Sequence, residues 1–185
     1  ETAGVTRAFV EEGAVVEASS LALDAAAENT VDSNSTIVTL AAVSFSTIRP
    51  TLHNTHVVET YIGPRAGAAS TGAVGSINVS GALTLNAHQS GTGNTVSLDA
   101  ISLSFGLVNG DSVRPDIVAG GKTQSYLGGR FAINAGSTSV SARSPNNTAS
   151  SSAFSLDVGL VNAGGGTTPV EVNHQTSAYI ADGAD

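Results

Sequence analysis

A short unit in which an aromatic residue precedes an aliphatic one returns four times, and this repetition constrains the fold more than any other feature of the chain. The clearest copies occupy residues 124–128 and 59–63, a third lies at 177–181, and residues 7–11 form a more divergent copy. The aromatic positions are Phe9, Tyr61, Tyr126 and Tyr179. Self-similarity at such a long period is typical of arrays of stacked structural repeats.

A second shared unit follows each of the first three aromatic residues. It occupies residues 19–25, 81–87 and 136–142, and its alternating pattern predicts a strand. In the middle repeat this unit begins later after its aromatic residue than in the other two. The extra residues fall within 64–76, a stretch rich in Gly, Ala and Ser that predicts a surface loop.

A third unit is the most regular of all. Residues 100–109 match residues 153–162 almost position by position, and residues 35–44 occupy the same place in the first repeat. Leu103, Phe105 and Leu107 share one face of the predicted strand.

Prolines recur shortly before each new aromatic residue. Pro50, Pro115 and Pro169 precede the next aromatic residue by nearly equal intervals. Because proline lacks a backbone donor, it marks a corner or an edge between strands.

These units predict an all-β chain: a parallel β-helix, or β-solenoid, of about three degenerate repeats of ~52–65 residues. We expect one segment over 1–185, with repeats at 5–58, 59–123 and 124–176 and a further repeat beginning at 177–185. At roughly 20 residues per coil, each repeat would supply two or three coils, with coils stacked at the strand spacing. A β-sandwich or barrel is the alternative for short alternating strands.

Composition excludes several functional classes. The net charge is −8, with only 7 Lys and Arg residues, which argues against nucleic acid and against an anionic membrane surface. No run is long enough for membrane insertion by a helix. With no Cys, neither disulfides nor thiolate metal sites can form.

The units Tyr126-Leu127-Gly128, 136–142, 154–162 and 178–184 resemble the repeats of giant bacterial surface proteins, the filamentous-haemagglutinin-like adhesins. The first repeat departs from the pattern, with Phe9-Val10-Glu11 in place of Tyr-Ile-Gly. The resemblance implies an exported, right-handed parallel β-helix that serves as a cell-surface stalk or adhesive fibre. It implies no catalytic residues. Because the sequence begins at Glu1, contains no Met and ends at Asp185 just after a repeat has begun, we expect the chain to be a segment of a larger protein.

We therefore expect a non-enzymatic structural or adhesive segment, secreted or at the bacterial surface, whose partners are neighbouring repeats and, as an option, a cell-surface glycan or another cell. One alternative is a carbohydrate- or host-surface-binding module using loops 64–76 and 109–115. The candidate ligand residues there are Arg65, Asn109, Asp111 and Arg114.

A polysaccharide-active β-helix enzyme is a second alternative. Against it, no acidic residues cluster across the aligned repeats, and there is no Trp for sugar stacking. No cofactor is expected, and structural calcium at Asn109-Gly110-Asp111 or Asp182-Gly183-Ala184-Asp185 is the alternative to that expectation. A metal site at His53 and His56 is disfavoured, because a spacing of three places them on opposite faces of a strand.

Overall fold

The computed structural model describes residues 2–181, which form β-strands and contain no helix. All strand pairs among these residues are parallel, so the predicted all-β class with parallel strands is confirmed. The strands are β1 (Thr2–Val10), β2 (Val15–Ala18), β3 (Leu21–Leu40), β4 (Val43–Ile48), β5 (Thr51–Ile62), β6 (Gly75–Phe105), β7 (Val108–Val113), β8 (Asp116–Leu127), β9 (Phe131–Arg143), β10 (Asn147–Val158), β11 (Val161–Gly166) and β12 (Val170–Ile180).

The strands belong to three sheets, which the chain visits in a fixed order. The first sheet is β1-β5-β8-β12, the second contains β2, β3, β6, β9 and β10, and the third is β4-β7-β11. Each passage therefore runs from the first sheet to the second, then to the third, and returns to the first beside the strand it left.

One passage through the three sheets consumes one whole repeat, so the expected division of each repeat into two or three coils is wrong. Tyr61 is the register partner of Phe9 and of Tyr126, its counterparts in the preceding and the following repeat. Each passage is long because strands of the second sheet bend without leaving that sheet. The 31-residue β6 contains Gly91 and Gly93 at positive φ and a register irregularity between Val79 and Ala82. Only glycine adopts such backbone angles without steric cost.

The core lies between the sheets in several small clusters. The largest joins the ends of β5 and β8 to the start of β6 through Ile62, Leu127 and Leu83. A second cluster packs Leu52 and Ile117 against Val96 and Leu98 of β6. The middle passage is covered on both sides and supplies most of the fully buried side chains.

The three prolines mark the same corner, between the third and the first sheet. Pro50, Pro115 and Pro169 each lie between the last strand of one passage and the first strand of the next. The carbonyl of Pro50 accepts a hydrogen bond from Asp116 N at 2.9 Å, and the carbonyl of Pro169 accepts one from Ile117 N at 3.3 Å. Proline is suited to this corner because the position requires no donor.

Candidate functional site

The four repeated aromatic residues form a continuous stack on the outer face of the first sheet. The ring centroids of Phe9 and Tyr61 are 5.1 Å apart, those of Tyr61 and Tyr126 are 5.3 Å apart, and those of Tyr126 and Tyr179 are 5.0 Å apart. The rings are within 10° of parallel because they are register partners on adjacent strands. We call these four residues the aromatic ladder.

The middle of the ladder is buried and its ends are open. Tyr126 is 1% exposed and Tyr61 is 6% exposed, whereas Phe9 and Tyr179 are 43% and 37% exposed. Part of this cover comes from residues 63–74, the segment between β5 and β6, which we call the strap. The strap corresponds to the predicted loop at 64–76, apart from Gly75 and Ser76, which already belong to β6.

The strap is attached to the ladder through Tyr126. Ala66 N donates a hydrogen bond of 2.7 Å to the phenolic oxygen of Tyr126. Burial raises the pKa of Tyr126 to about 12, so the phenol is neutral over the physiological range. The hydroxyl therefore acts here as a fixed acceptor for the strap backbone.

A buried carboxylate anchors the strap beside the ladder. Glu59, 3% exposed, accepts hydrogen bonds from Arg7 Nε at 2.7 Å and from Arg65 Nε at 3.0 Å. Burial alone raises the pKa of Glu59, but the hydrogen bonds and charges of Arg65 and Arg7 outweigh it and lower the pKa overall. Glu59 thus stays ionised and joins a strap residue to a residue of β1.

The far end of the strap is held by a second carboxylate, Glu12, from the preceding passage. It accepts hydrogen bonds from the side chain of Ser70, from the backbone and side chain of Thr71, and from the backbone of Gly72. These contacts, the Ser70 hydroxyl first among them, lower the pKa of Glu12 to about 2. Both ends of the strap therefore depend on ionised carboxylates.

Two cavities flank Arg65. One, of about 360 Å³, lies between the strap and the rings of Phe9 and Tyr61, with Glu11 and Glu12 on its wall. The other, of about 350 Å³, is lined by Glu59, Lys122 and Gln124. Ring edges beside carboxylates and cationic donors offer both apolar contact and hydrogen bonds to a polyhydroxylated ligand.

The structure places the other predicted ligand segment differently. The loop expected at 109–115 is wrong for most of its length, because residues 108–113 form strand β7, and the remainder is a corner. Asn109 and Asp111 are 1% and 2% exposed and point inward. Of the three candidate ligand residues in this segment, only Arg114 is exposed, at the corner before β8.

Asp111 belongs to a polar cluster in the interior between the second and third sheets. Its two carboxylate oxygens accept hydrogen bonds of 2.6 Å from the hydroxyls of Ser46 and Ser102. Asn109 Oδ1 accepts a hydrogen bond from Ser44 at 2.9 Å. These partners satisfy the buried polar groups of Asn109 and Asp111. The turn-like sequence Asn-Gly-Asp had instead predicted a surface loop.

Asp157 extends the same cluster on β10. Its pKa is raised, first by burial and then by the charge of Asp111. One of its oxygens is buried without a hydrogen-bond partner, and its other oxygen lies where a side chain at Gly164 would stand. Within residues 2–181 neither carboxylate has a cationic partner, and two such carboxylates repel each other, so this end of the interior is electrostatically costly.

Neither predicted calcium segment gains support as a metal site. Within residues 2–181 no group of three or more His, Asp or Glu side chains is arranged to hold a metal ion. The segment Asp182–Asp185 lies outside the described residues. His56 points inward, with Nε2 3.3 Å from Thr6 Oγ1, whereas His53 is exposed on the outer face of the same strand.

Comparison of the chain with known proteins finds no match among family models, curated proteins or solved structures. Among residues 2–181 the structure contains no helix with the length and apolar character needed to cross a bilayer.

The repeated aromatic residues predicted the ladder, but the sequence did not reveal the groups that hold the strap. Arg65, predicted as a ligand residue, pairs here with Glu59. Glu59 was part of a repeated unit, and only its register with Arg7 shows that it is an ion-pair partner. Glu12 lies 58 to 60 residues from the strap groups it binds. One sequence signal was available. The adjacent acidic residues Glu11 and Glu12 follow the aromatic residue of the first repeat, and the insertion follows the aromatic residue of the second repeat.

Proposed function

We propose that the chain is a segment of a β-solenoid and serves as a stiff structural element of a large exported bacterial surface protein. The observation that carries the proposal is the fixed visiting order of three parallel sheets with register partners one repeat apart. In a solenoid of this kind, backbone hydrogen bonds run along the stacking direction and each coil contacts only its neighbours.

The width of the coil determines what such an element can do. Each coil adds about 4.8 Å along the stacking axis, yet it uses a whole repeat. The shaft therefore gains thickness rather than reach, and thickness increases bending stiffness. This geometry favours a load-bearing shaft that carries other parts of a surface protein over a long, thin fibre.

Both ends of the stack can accept further coils. Among the described residues, β1 to β4 and β9 to β12 each pair on one side only. Unpaired parallel edges are templates for another strand. Further repeats with the same register, or a capping segment, would complete the hydrogen bonding of both edges.

The location is tested on intact cells that produce the parent protein. Antibodies raised against the chain are expected to label non-permeabilised cells, and external protease is expected to remove that label. An intracellular protein stained in parallel provides the control for cell integrity. Labelling that appears only after permeabilisation contradicts a surface role.

A glycan-binding function at the strap is the second candidate, and the two cavities beside Arg65 are the observation in its favour. A panel of purified polysaccharides and oligosaccharides, measured by calorimetry, tests it. Binding that survives in Val74→Lys but is lost in Lys122→Ala or Glu11→Gln supports the strap site. Binding that is equal in all variants, or absent throughout the panel, removes this candidate.

A further inference from the structure

One outer surface of the second sheet divides sharply into a polar half and an apolar half. Three stretches, 29–40 of β3, 94–105 of β6 and 147–158 of β10, run side by side in register. In the first half, hydroxyl and carboxylate side chains point outward, and Asp99, for example, accepts a hydrogen bond of 2.5 Å from Ser152. In the second half, beginning at Ile101, the outward side chains become apolar.

The apolar half forms a grid of three strands by three positions. We define the outer apolar patch as residues 36, 38 and 40, residues 101, 103 and 105, and residues 154, 156 and 158. Apart from Thr36 these are aliphatic or aromatic, and none carries a charge. Leu40 is 76% exposed and Phe154 is 54% exposed. Even on the central strand, which has neighbours on both sides, Ile101 and Phe105 are more than a third exposed.

The interior behind the patch has the opposite character. Ser102 and Ser104 are completely buried and alternate with the outward Ile101, Leu103 and Phe105. The hydroxyl of Ser102 is bonded to Asp111, and that of Ser104 to Ser44 at 2.8 Å. A strand with one wet face normally directs its apolar residues inward. In this segment the serine side chains point inward, where they are hydrogen-bonded, and the apolar side chains point outward.

We propose that the outer apolar patch is a face-to-face interface between two copies of this chain. Leu107 and Leu160, which are 58% and 85% exposed, follow the patch at the ends of β6 and β10 and bring the outward positions available to a partner to eleven. Patches beyond a few hundred Å² are uncommon on surfaces that stay in water. Two packed sheet faces interdigitate their outward side chains as in a sandwich core.

The patch suits a copy of itself because the contact is self-complementary. A two-fold axis that runs between the copies and parallel to β6 places β3 of one copy opposite β10 of the other, and both strands present apolar side chains there. Such an isologous contact closes and leaves no second patch for growth. Two shafts joined side by side form a double shaft, which fits the proposed structural role without depending on it.

A lipid surface is a weaker fit. The outward carboxylate of Asp99 borders the patch, and the chain has a net charge of −8, so an anionic bilayer repels it. The grid itself contains no Lys, Arg, Trp or Tyr, the residues that favour the membrane interface.

Sedimentation velocity over a wide concentration range tests the proposal. The chain is expected to show a reversible monomer–dimer equilibrium. Leu156→Lys, which places an ammonium group in the middle of one edge of the grid, is expected to weaken it by roughly tenfold or more, because a buried charge is left unpaired. Val74→Lys, at an apolar position on the strap that is 71% exposed against 43% for Leu156, is the control and should not change it. Circular dichroism checks that both variants remain folded.

Two further measurements separate the patch from other contacts. Glu171→Pro in the edge strand β12 blocks end-to-end pairing and should leave the dimer intact. Flotation with neutral phosphatidylcholine vesicles should show no binding. Loss of association in Glu171→Pro but not in Leu156→Lys overturns the proposal in favour of edge pairing. A monomer at all concentrations overturns it as well, and vesicle binding abolished by Leu156→Lys assigns the patch to lipid.

Discussion

Truncation of the central ladder tyrosine is the sharpest test of how the first sheet is held together. Tyr126→Ala removes a ring that is 1% exposed and is stacked on Tyr61 at 5.3 Å and on Tyr179 at 5.0 Å. Loss of a buried aromatic side chain costs about 3–5 kcal/mol, and this range includes its ring–ring contacts. We take about 4 kcal/mol of the free energy of unfolding as the expected loss.

Two companion variants divide that loss into its parts. Tyr126→Phe keeps both ring contacts but removes the acceptor for Ala66 N, and should cost about 1 kcal/mol. Tyr179→Ala removes a ring that is 37% exposed and has one described ring partner, and should cost about 1–2 kcal/mol. The expected order of stability is therefore wild type, Tyr126→Phe, Tyr179→Ala and Tyr126→Ala.

Thermal and urea unfolding, followed by circular dichroism, measure these differences. For a chain of this size, a loss of about 4 kcal/mol lowers the Tm by about 8–16 °C. Equal losses for Tyr126→Ala and Tyr179→Ala would refute the reasoning, because the ladder would then have no buried middle. A loss below about 1 kcal/mol for Tyr126→Ala would show that the strap does not cover this ring.

Three further variants and one control variant test local geometry and charge by the same unfolding measurements. Gly106→Ala should destabilise the chain by about 2 kcal/mol or more, because the new methyl group would overlap the carbonyl oxygen of Ala41. In the control Gly165→Ala the methyl group enters open space, so the stability should change little. Similar effects of the two substitutions would contradict the close packing at Gly106. Asp157→Asn should raise the Tm at pH 7, because the pKa of Asp157 is raised in the folded state and the ionised carboxylate therefore opposes folding. The gain should vanish at pH 3, where the carboxyl is protonated in both the folded and the unfolded state. A gain in Tm that does not depend on pH would contradict an electrostatic origin. Glu59→Gln should destabilise the chain by about 1–3 kcal/mol at pH 7. The difference should shrink as the pH falls through the lowered pKa of Glu59 in the folded state, because the wild-type carboxylate is protonated there and loses its ion pairs with arginine. A difference that does not depend on pH would argue against the ion pairs.

The spacing of the aromatic residues predicted the fold-defining contacts well. Residues that recur with a fixed neighbourhood are expected to stack in a repeat array, and Phe9, Tyr61, Tyr126 and Tyr179 are register partners in the first sheet. The longer interval between Tyr61 and Tyr126 was likewise readable, because the surplus falls in one stretch between two strands, where the strap lies.

Coil length was not predictable from the same signals. Gly91 and Gly93 are residues typical of a turn, yet β6 continues through them as a bend. It pairs with β3 before and after the bend, and with β9 before it and β10 after it. Local sequence reports backbone angles. It does not report whether the neighbouring strands bend together, which decides whether a glycine ends a strand or curves it.

The prediction of a ligand loop at 109–115 was wrong for a related reason. Asn109-Gly110-Asp111 is a turn signature only when its polar side chains are left to bond their own backbone. Here Ser44, Ser46 and Ser102 supply hydroxyl partners from other strands, so the segment stays extended and buried. Two of these partners belong to the preceding repeat, and only the register brings them together with Asn109 and Asp111.

Site-directed crosslinking tests the central claim, that one repeat makes one coil, most directly. The chain contains no Cys, so any crosslink within it must join the two engineered cysteines. Asp32 and Ser97 belong to successive repeats and are register partners on the outer face of the second sheet. Adjacent strands are about 4.8 Å apart, within the range that two cysteines bridge. Asp32→Cys with Ser97→Cys should therefore be bridged rapidly by oxidation or by dibromobimane. The control pair, Asp32→Cys with Asp99→Cys, is out of register and should react slowly, although position 99 is more exposed. Equal rates for the two pairs, or faster bridging of the control, would contradict the account.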